Sequence, residues 1–536
     1  MTTTIEIYDS TLRDGAQAEG ITYSLEDKLL IARRLDGLGV RYIEGGWPNP
    51  TNPKDLAFFK EVRKLNLMAT VTAFGSTRRA DNRPDQDPTL TTLVKAETDC
   101  VAIFGKSWTL HVTNVLKTTP EKNLELIEDS VAYVVGEGRE VVYDAEHFFD
   151  GYKDDPEYAL ATLTAAANGG ARIVVLCDTN GGTMPTELAQ IVQDTAEHMD
   201  VPIGIHTHND SGMAVANTIV AVEQGAVQVQ GTFNGYGERC GNANLCSVIP
   251  ALELKMGMYA IGSENVAELM GFSRFLSEVA NVHHDHRQPY VGESAYAHKG
   301  GVHVDAMTKD PRCYEHEDPE ATGNERRFLV SDQSGTSTMV AKLGKFFPEL
   351  NKKDPMMTKV LGEVKRLEHE GYQFEAAEGS FELLARRSMG LYKDLFRPVS
   401  FRTISHKEDA TDATEEAEAI VKVEVAGEVY HTVADGDGPV NALDQALRKG
   451  LERSYPSLRQ VHLEDYKVRV LSTSDGTAAR VRVWIESSDG RDVWGTVGVS
   501  ENIIEASWLA LLDSLHFKLM RDAVAASQVK GGTGTD

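Results

Sequence analysis

From residue 5 to about residue 257, short apolar runs rich in β-branched residues alternate with longer stretches of helical periodicity. Each run predicts a buried strand, and the alternation predicts repeated βα units around a parallel sheet. The predicted strands are Ile5–Tyr8, Tyr42–Gly45, Met68–Phe74, Cys100–Phe104, Glu140–Tyr143, Arg172–Cys177, Pro202–Ile205 and Ala226–Gln230. Eight βα units in about 250 residues are the number and size of a (β/α)₈ TIM barrel, which is an α/β fold.

Helices are predicted between these strands, and several begin with Pro or have Ser or Thr at the capping position. They are Leu25–Leu38, Pro53–Leu65, Pro120–Val135, Pro156–Asn168, Pro185–His198 and Met213–Glu223. Polar residues cluster in or just after the strands, at the end where barrel active sites lie. The clusters contain Arg13, Asp14, Glu44, Lys106, Asp144, Glu146, Asp178, Thr179, Asn180, His206, His208 and the stretch 234–242. Their shared placement predicts a single site at that rim.

The seventh unit contains His206 and His208, which the two-residue period of a strand directs to the same side. Two imidazoles provide half of a metal site, and a carboxylate such as Asp14 from another strand end can provide a hard ligand. The alternative is a pair of polar histidines where a strand ends, without a metal. Two imidazoles and one carboxylate suit Mg²⁺, Mn²⁺ and Zn²⁺, so the metal's identity stays open.

After the barrel, residues 258–400 become mainly helical and contain two polar stretches, His283–Arg287 and Ala297–Asp305. We interpret this region as a connecting subdomain that covers a barrel mouth. From Ala419 to Met520 the order strand, strand, helix occurs twice, and Ser487–Gly490 has the residues of a hairpin turn. Two such ββα units without a polar cluster indicate a regulatory or dimerising domain with an α+β fold.

These patterns predict four segments. They are a catalytic barrel at 1–260, a helical lid subdomain at 261–404, a C-terminal regulatory domain at 405–526 and a disordered tail at 527–536. Within the third segment, the Glu-, Asp- and Thr-rich residues 405–418 are typical of a solvated linker.

The 536 residues are 41% hydrophobic and 25% charged, as is typical of soluble globular proteins. A net charge of −27 argues against nucleic acid, whose phosphates would be repelled. Five cysteines without a paired framework suit the reducing cytoplasm, and no targeting or membrane-spanning segment is visible. A homodimer is the common state of such soluble enzymes.

Three motifs carry a family resemblance: Leu12–Gln17, His206–Gly212 and Gly235–Asn242. In order and spacing they resemble the signatures of the 2-isopropylmalate, homocitrate and citramalate synthases. The doubled C-terminal unit resembles that family's regulatory domain, so the resemblance covers nearly the whole chain. Within the family, Tyr8–Gly20, Tyr42–Pro48 and Asp144–Tyr152 look most like a citramalate synthase branch. That branch condenses acetyl-CoA with pyruvate and water to (R)-citramalate and CoA, which leads to isoleucine.

The resemblance implies roles for individual residues. Asp14, His206 and His208 are expected to bind a divalent metal, with Asn242 as a possible fourth ligand. Arg13 is expected at the keto oxygen of the oxo acid; the alternative is an ion pair with Glu44 or Glu146. Thr179 is expected to hold the substrate carboxylate. Glu146 matches the family's catalytic glutamate, and His303 matches a histidine delivered by the subdomain.

Substrate selection requires a bulky wall beside the keto carbon, because one or two methyl groups change binding by only about 1–3 kcal/mol in an apolar pocket. Phe74 and Phe104 are candidates for that wall, and the alternative for both is barrel core. Isoleucine is the effector that the resemblance implies. The alternatives in function are a 2-isopropylmalate or homocitrate synthase, an acyl-CoA lyase on the same barrel, and a sensor that has lost activity.

Overall fold

The computed structural model describes residues 3–49, 51–329, 336–344, 347, 354–406, 416–471 and 479–531. Contacts divide the chain into two units. The first comprises Met1–Tyr296 and His316–Arg326, and the second comprises Ala297–Glu315 and Arg327–Asp536. The predicted domain boundaries after residues 260 and 404 stay predictions.

The first unit contains a closed barrel of eight parallel strands in sequence order, which confirms the predicted fold. The strands are β1 (Glu6–Asp9), β2 (Tyr42–Gly46), β3 (Thr70–Ser76), β4 (Cys100–Lys106), β5 (Glu140–Glu146), β6 (Ile173–Asp178), β7 (Ile203–Thr207) and β8 (Gln228–Gly231). All eight strands extend beyond the predicted C-terminal end by one to three residues. The extensions matter because they carry polar residues such as Asp144 and Glu146 into the barrel sheet.

In the described part of the first unit, twelve α-helices accompany the barrel. They are α1 (Leu25–Gly37), α2 (Pro53–Val62), α3 (Pro88–Lys95), α4 (Thr109–Asn114), α5 (Pro120–Gly136), α6 (Phe148–Asp154), α7 (Pro156–Asn168), α8 (Pro185–His198), α9 (Ala214–Glu223), α10 (Leu245–Pro250), α11 (Ser263–Val266) and α12 (Leu269–Val279). Ser24 and Asp27 form a capping box at the start of α1, and Pro begins α2, α3, α5, α7 and α8. The predicted start signals therefore mark real helix N-termini.

Side chains alternate across each barrel strand, so one set packs against the helices and the other fills the barrel. The interior contains an apolar layer that includes Tyr8, Ala102, Val142 and Val175. At the N-terminal end of the strands, Arg172 forms ion pairs with Glu6 (2.5 Å) and Glu140 (2.9 Å). The interior of the barrel is therefore a packed core. The polar residues available for catalysis lie at the C-terminal end of the strands.

The second unit begins with helical segments and one short parallel pair of strands. The helices are α13 (Gly301–Met307), α14 (Thr336–Leu343), α15 (Pro355–His369) and α16 (Glu378–Met389). The strands are β9 (Ala297–His298) and β10 (Arg327–Phe328). Predominantly helical structure was predicted for this part of the chain, and the described residues agree.

The C-terminal part contains two antiparallel sheets, each of three strands followed by a helix. The first comprises β11 (Arg397–His406), β12 (Glu416–Val425), β13 (Glu428–Gly436) and α17 (Pro439–Leu451); the second comprises β14 (His462–Val470), β15 (Val481–Ser488), β16 (Val493–Ser500) and α18 (Ile503–Gly531). The predicted ββα count is therefore wrong by one strand per unit. The missed strands, β11 and β14, lie at sheet edges with hardly any buried side chains, so they lack the alternation that identifies a strand.

Two predicted irregular segments overlap regular structure. Of the predicted linker 405–418, the ends belong to β11 and β12, while residues 407–415 lie outside the described residues. Of the predicted tail 527–536, helix α18 continues to Gly531, and residues 532–536 lie outside the described residues. Within the described ranges, no helix is both long enough and apolar enough to cross a membrane.

Candidate active site at the C-terminal end of the barrel

Asp14, His206 and His208 converge at the rim of the barrel, although they come from opposite ends of the barrel sequence. The Nε2 atoms of the two histidines are 3.3 Å apart, and His206 Nε2 lies 3.5 Å from Asp14 Oδ2. One ligand atom from each of the three residues lies within 4.8 Å of the others, and all three residues are buried. Adjacent pairing of β1 with β8 and of β7 with β8 explains how these strand ends meet.

Asn242 lies beside His208, to which it is joined by an isolated antiparallel bridge. Its loop turns back sharply at Gly241, whose φ is 87°. A Cβ at Gly241 would overlap the carbonyl oxygen of Gly235, so glycine is required for this turn. The Gly-rich motif therefore places the amide of Asn242 next to the two histidines.

Two oxygen atoms at this point are buried without a hydrogen-bond partner: Asp14 Oδ1 and Asn242 Oδ1. Unpaired buried polar atoms are costly, and a cluster of them needs an explanation such as an ion. Oxygen and imidazole nitrogen atoms at this spacing are the ligands that a divalent cation binds. The donor set thus fits a divalent cation.

The protonation states in this cluster also suit a cation. Burial alone would raise the pKa of Asp14, but the neighbouring guanidinium of Arg13 outweighs burial and holds that pKa below its ordinary value. Burial lowers the pKa of both His206 and His208, and in His206 the neighbouring imidazole contributes too. A charged carboxylate and two neutral imidazoles are the forms that ligate metals.

Arg13 forms an ion pair with Glu44, not with Glu146. Its Nε donates to Glu44 Oε2 at 2.9 Å, and its Nη1 donates to Asp14 Oδ2 at 3.1 Å. The Tyr8 hydroxyl donates to the other oxygen of Glu44 at 3.1 Å. The guanidinium is therefore held in one orientation beside the predicted metal ligands.

Phe74 and Phe104 stack on each other with ring centroids 5.2 Å apart, and Arg13 lies over the Phe74 ring at 3.8 Å. Trp47, which directly follows β2, packs edge-on against both phenylalanines at 5.9 and 5.5 Å. Sequence reasoning did not predict Trp47 as a site residue, although it lies just after the second predicted strand. Three aromatic rings from three strands thus form one wall next to Arg13.

Glu146 forms an ion pair with Lys106, which lies opposite it on the neighbouring strand β4. The side chain of Glu146 is 25% exposed, so this carboxylate reaches the solvent side of the rim. The contact therefore links Lys106, one of the polar residues predicted at the rim, to the predicted catalytic glutamate.

Thr179 follows β6, and its hydroxyl oxygen accepts a hydrogen bond from the backbone N–H of His147 at 2.9 Å. That contact leaves the hydroxyl hydrogen free to be donated to another group. Arg239, which was not among the predicted site residues, donates to the carbonyl oxygen of Thr179 at 2.6 Å and pairs with Asp210 at 2.8 Å. Arg239 thereby joins the loops that follow β6, β7 and β8.

His303 belongs to the second unit, where it lies on α13 with an exposed side chain. Its ring stacks on Tyr314, with ring centroids 4.1 Å apart and an interplanar angle of 24°. The predicted role of His303 at the barrel mouth stays a prediction.

Three known protein families together match most of the chain. The HMGL-like family matches residues 4–274, which include the barrel and its rim. The homocitrate synthase post-HMGL domain-like family matches residues 290–371, and the LeuA allosteric (dimerisation) domain matches residues 375–519.

Individual relatives match nearly from end to end. The (R)-citramalate synthase of Geobacter sulfurreducens is 54% identical over 96% of this chain and 97% of its own length. The (R)-citramalate synthase of Aquifex aeolicus is 54% identical over 97% of this chain and 98% of its own length. A probable 2-isopropylmalate synthase of Methanopyrus kandleri is 31% identical over 96% of this chain and 98% of its own length.

Proposed function

This chain belongs to the (R)-citramalate synthase family, and we propose that it condenses acetyl-CoA with pyruvate and water to (R)-citramalate and CoA. It is an acyltransferase of the acetyl-CoA-dependent condensing type. The observation that carries the proposal is the convergence of Asp14, His206 and His208 beside Arg13 at the C-terminal end of the strands. Identity of 54% with citramalate synthases, against 31% with a 2-isopropylmalate synthase, favours pyruvate as the oxo acid.

In this proposal, Asp14, His206 and His208 hold a divalent cation, Mg²⁺, Mn²⁺ or Zn²⁺, and Asn242 is the fourth ligand. When bound, such a cation supplies a Lewis acid for the oxo acid. Arg13 directs its guanidinium at the keto oxygen, where negative charge develops during carbon–carbon bond formation. Its ion pair with Glu44 keeps that group aligned. Thr179 donates its free hydroxyl hydrogen to the substrate carboxylate.

Glu146 is our proposed base for the methyl group of acetyl-CoA. It needs to be ionised to accept a proton and to be released from Lys106 to act as a base. Acetyl-CoA binding therefore has to draw the ammonium group of Lys106 away from Glu146. His303 is the second candidate for proton transfer, delivered by the subdomain. Water then hydrolyses the thioester of the condensation product to release CoA.

The wall formed by Phe74, Phe104 and Trp47 is our proposed determinant of substrate size. Its three rings contact one another, so none can move aside without losing packing. A rigid wall excludes a branched oxo acid by overlap, which discriminates more strongly than the small free energy of one or two methyl groups. We therefore expect 2-oxoisovalerate to be a poor substrate.

The C-terminal sheets support a proposal of homodimerisation and feedback control. In the first sheet, α17 covers one face, while Ile404, Val429 and Val433 on the other face are 45–58% exposed. Exposed apolar side chains grouped on one sheet face are typical of a contact between chains. The allosteric (dimerisation) domain that matches this region agrees with that role. We propose isoleucine as the effector and the first step of isoleucine synthesis from pyruvate as the pathway position.

We also propose a cytoplasmic location, which the five cysteines support because all of them are free thiols.

The decisive experiment measures CoA release from acetyl-CoA with pyruvate, 2-oxoisovalerate and 2-oxoglutarate in separate assays, with and without EDTA. We expect release with pyruvate, lost on chelation and restored by added Mg²⁺, Mn²⁺ or Zn²⁺. Preference for 2-oxoisovalerate would indicate a 2-isopropylmalate synthase, and preference for 2-oxoglutarate a homocitrate synthase. Cleavage of an acyl-CoA without condensation would indicate a lyase. Absence of CoA release with every oxo acid would favour a sensor.

A second experiment tests the C-terminal proposal on the full chain. Light scattering reports the mass of the particle, and activity is titrated with isoleucine, with leucine and valine as controls. We expect a mass of two chains and inhibition by isoleucine alone. A monomer, or inhibition by leucine in preference to isoleucine, contradicts this proposal without affecting the barrel chemistry.

A further inference from the structure

Gln230 connects the predicted metal ligand His206 to a carboxylate inside the barrel. His206 Nδ1 and Gln230 Oε1 are 3.1 Å apart, and Gln230 Nε2 donates to Asp144 Oδ1 at 2.9 Å. All three side chains are buried. His206 and Gln230 are opposite each other in the pairing of β7 with β8, so the sheet itself holds the two groups together. Neither Gln230 nor this chain of hydrogen bonds is part of the site proposed above.

The two ring nitrogens of His206 face different surroundings. Nε2 points to His208 Nε2 and to Asp14 Oδ2, which is the side where a cation would lie. Nδ1 points to Gln230 on the opposite side of the ring. A neutral imidazole ligates through one nitrogen and carries its proton on the other, and the partner of that proton fixes the tautomer.

Asp144 determines which end of the Gln230 amide faces His206. An ionised carboxylate only accepts hydrogen bonds, so it holds the NH₂ end of the amide and leaves the oxygen towards Nδ1. The reversed amide would place its oxygen against the carboxylate and its NH₂ group against Nδ1–H. Burial raises the pKa of Asp144 to about 7, so the carboxylate is predominantly ionised at pH 8.

We propose that Gln230, oriented by Asp144, is a positioning residue that keeps the proton of His206 on Nδ1 and aims its Nε2 lone pair at the cation. The inference rests on the proposed function, because it concerns the metal site of that function. His208 differs from His206, because the Nδ1 atom of His208 is buried without a hydrogen-bond partner. Only one of the two imidazole ligands is therefore braced by a buried hydrogen-bond chain.

The test measures binding of Mn²⁺ to chelator-treated full-length protein at pH 8, with free Mn²⁺ followed by electron paramagnetic resonance. Removing a hydrogen-bond partner of a metal-binding histidine weakens affinity by about 10–100-fold, so we expect that loss in Gln230→Leu. Gln230→Glu keeps an acceptor opposite Nδ1, with one proton shared between Glu and Asp144, and should stay within about threefold of the wild type.

Gln228→Leu is the matched control, because Gln228 is equally buried on the same strand but lies at the other end of the barrel, where it donates to Glu6. We expect its affinity for Mn²⁺ to equal that of the wild type. The unfolding midpoint of each metal-free variant separates positioning from general destabilisation. Should Gln230→Leu fail to fold, Gln230→Met provides similar volume without an acceptor, with the same expected loss.

Wild-type affinity in Gln230→Leu or Gln230→Met would overturn the inference, and so would an equal loss in Gln228→Leu. A loss in Gln230→Glu as large as in Gln230→Leu would also overturn it, because the acceptor would then not matter. Absence of Mn²⁺ binding to the wild type, or undiminished binding to His208→Ala, would overturn the metal site of the proposed function, and this inference with it.

Discussion

The rim of the barrel and the two C-terminal sheet modules bury different kinds of side chain. At the rim, Arg13, Asp14, Glu44, Asp144 and His206 are packed together with little water access. The module cores instead contain aliphatic and aromatic residues such as Val421, Leu443, Leu447, Val483 and Leu511. Among the residues that the structure describes, the one cluster of His, Cys, Asp and Glu able to hold a metal lies in the barrel.

Buried charge destabilises a fold unless it is paired, so a protein retains it where chemistry requires it. Arg13 forms ion pairs with Asp14 and Glu44, and Asp144 accepts a hydrogen bond from Gln230, so these contacts offset part of that cost. The described parts of the modules carry no such cluster, and some of their apolar side chains lie exposed on a sheet face. This difference indicates that the residues for catalysis and the residues proposed for dimer contact belong to separate parts of the chain.

The largest expected effect comes from removing one predicted metal ligand. His208→Ala should lower kcat by at least about a thousandfold while the circular dichroism spectrum stays unchanged, because loss of a ligand disables the cation without breaking the barrel. His198→Ala, at an exposed position at the end of α8, is the control and should retain full activity. Activity in His208→Ala above a tenth of the wild-type value would contradict the site.

The second-largest expected effect is a loss of stability when the same cavity is made in a C-terminal module and in the barrel. Leu447→Ala in α17 should cost about 3 kcal/mol in the stability of its module, because Leu447 is fully buried. We expect activity without effector to stay near the wild-type value and the response to isoleucine to be lost. Leu188→Ala, an equally buried residue in α8, should lower the stability of the barrel instead. Thermal unfolding and initial rates for both variants check this separation; the reverse pattern would refute it.

Arg13→Lys tests whether the rim needs a guanidinium fork or only a positive charge. An ammonium group cannot contact Glu44 and Asp14 in the bidentate manner of Arg13, so kcat/KM should fall about a hundredfold. Arg172→Lys makes the same change at the opposite end of the barrel, where it should leave kcat/KM unchanged. Equal losses in the two variants would show that the effect is structural.

The smallest effect is a change in the pH dependence of stability. Burial raises the pKa of Asp9 to about 7 from 3.8, so the folded barrel retains a proton that the unfolded chain releases. This contribution is complete at low pH and is lost as the pH rises through 7. Between pH 5 and pH 7 the wild type should lose about 2 kcal/mol more than Asp9→Asn.

Urea unfolding at pH 5, 6, 7 and 8 measures this difference. Glu19→Gln, which neutralises an exposed carboxylate, is the control and should follow the wild-type pH profile. If Asp9→Asn runs parallel to the wild type, the buried carboxyl of Asp9 is not the source of the pH dependence.

Some errors of prediction have a common cause. The edge strands β11 and β14 were missed because none of their side chains is fully buried, so no buried stripe marks them. Trp47 was missed because its partners Phe74 and Phe104 come from two other strands. Arg239 was missed because a charged loop residue has no pattern that reveals which loops it joins.

The sequence by itself determined the eight-stranded barrel and the positions of Asp14, His206 and His208 along it. Periodicity records which side chains are buried, and short motifs record which types of ligand a strand end carries. Only the tertiary structure decided that Arg13 pairs with Glu44 and that Asp144 holds Gln230 against His206. Those contacts join strands far apart in the chain, and a hydrogen-bond partner is selected by proximity in space, which local patterning does not encode.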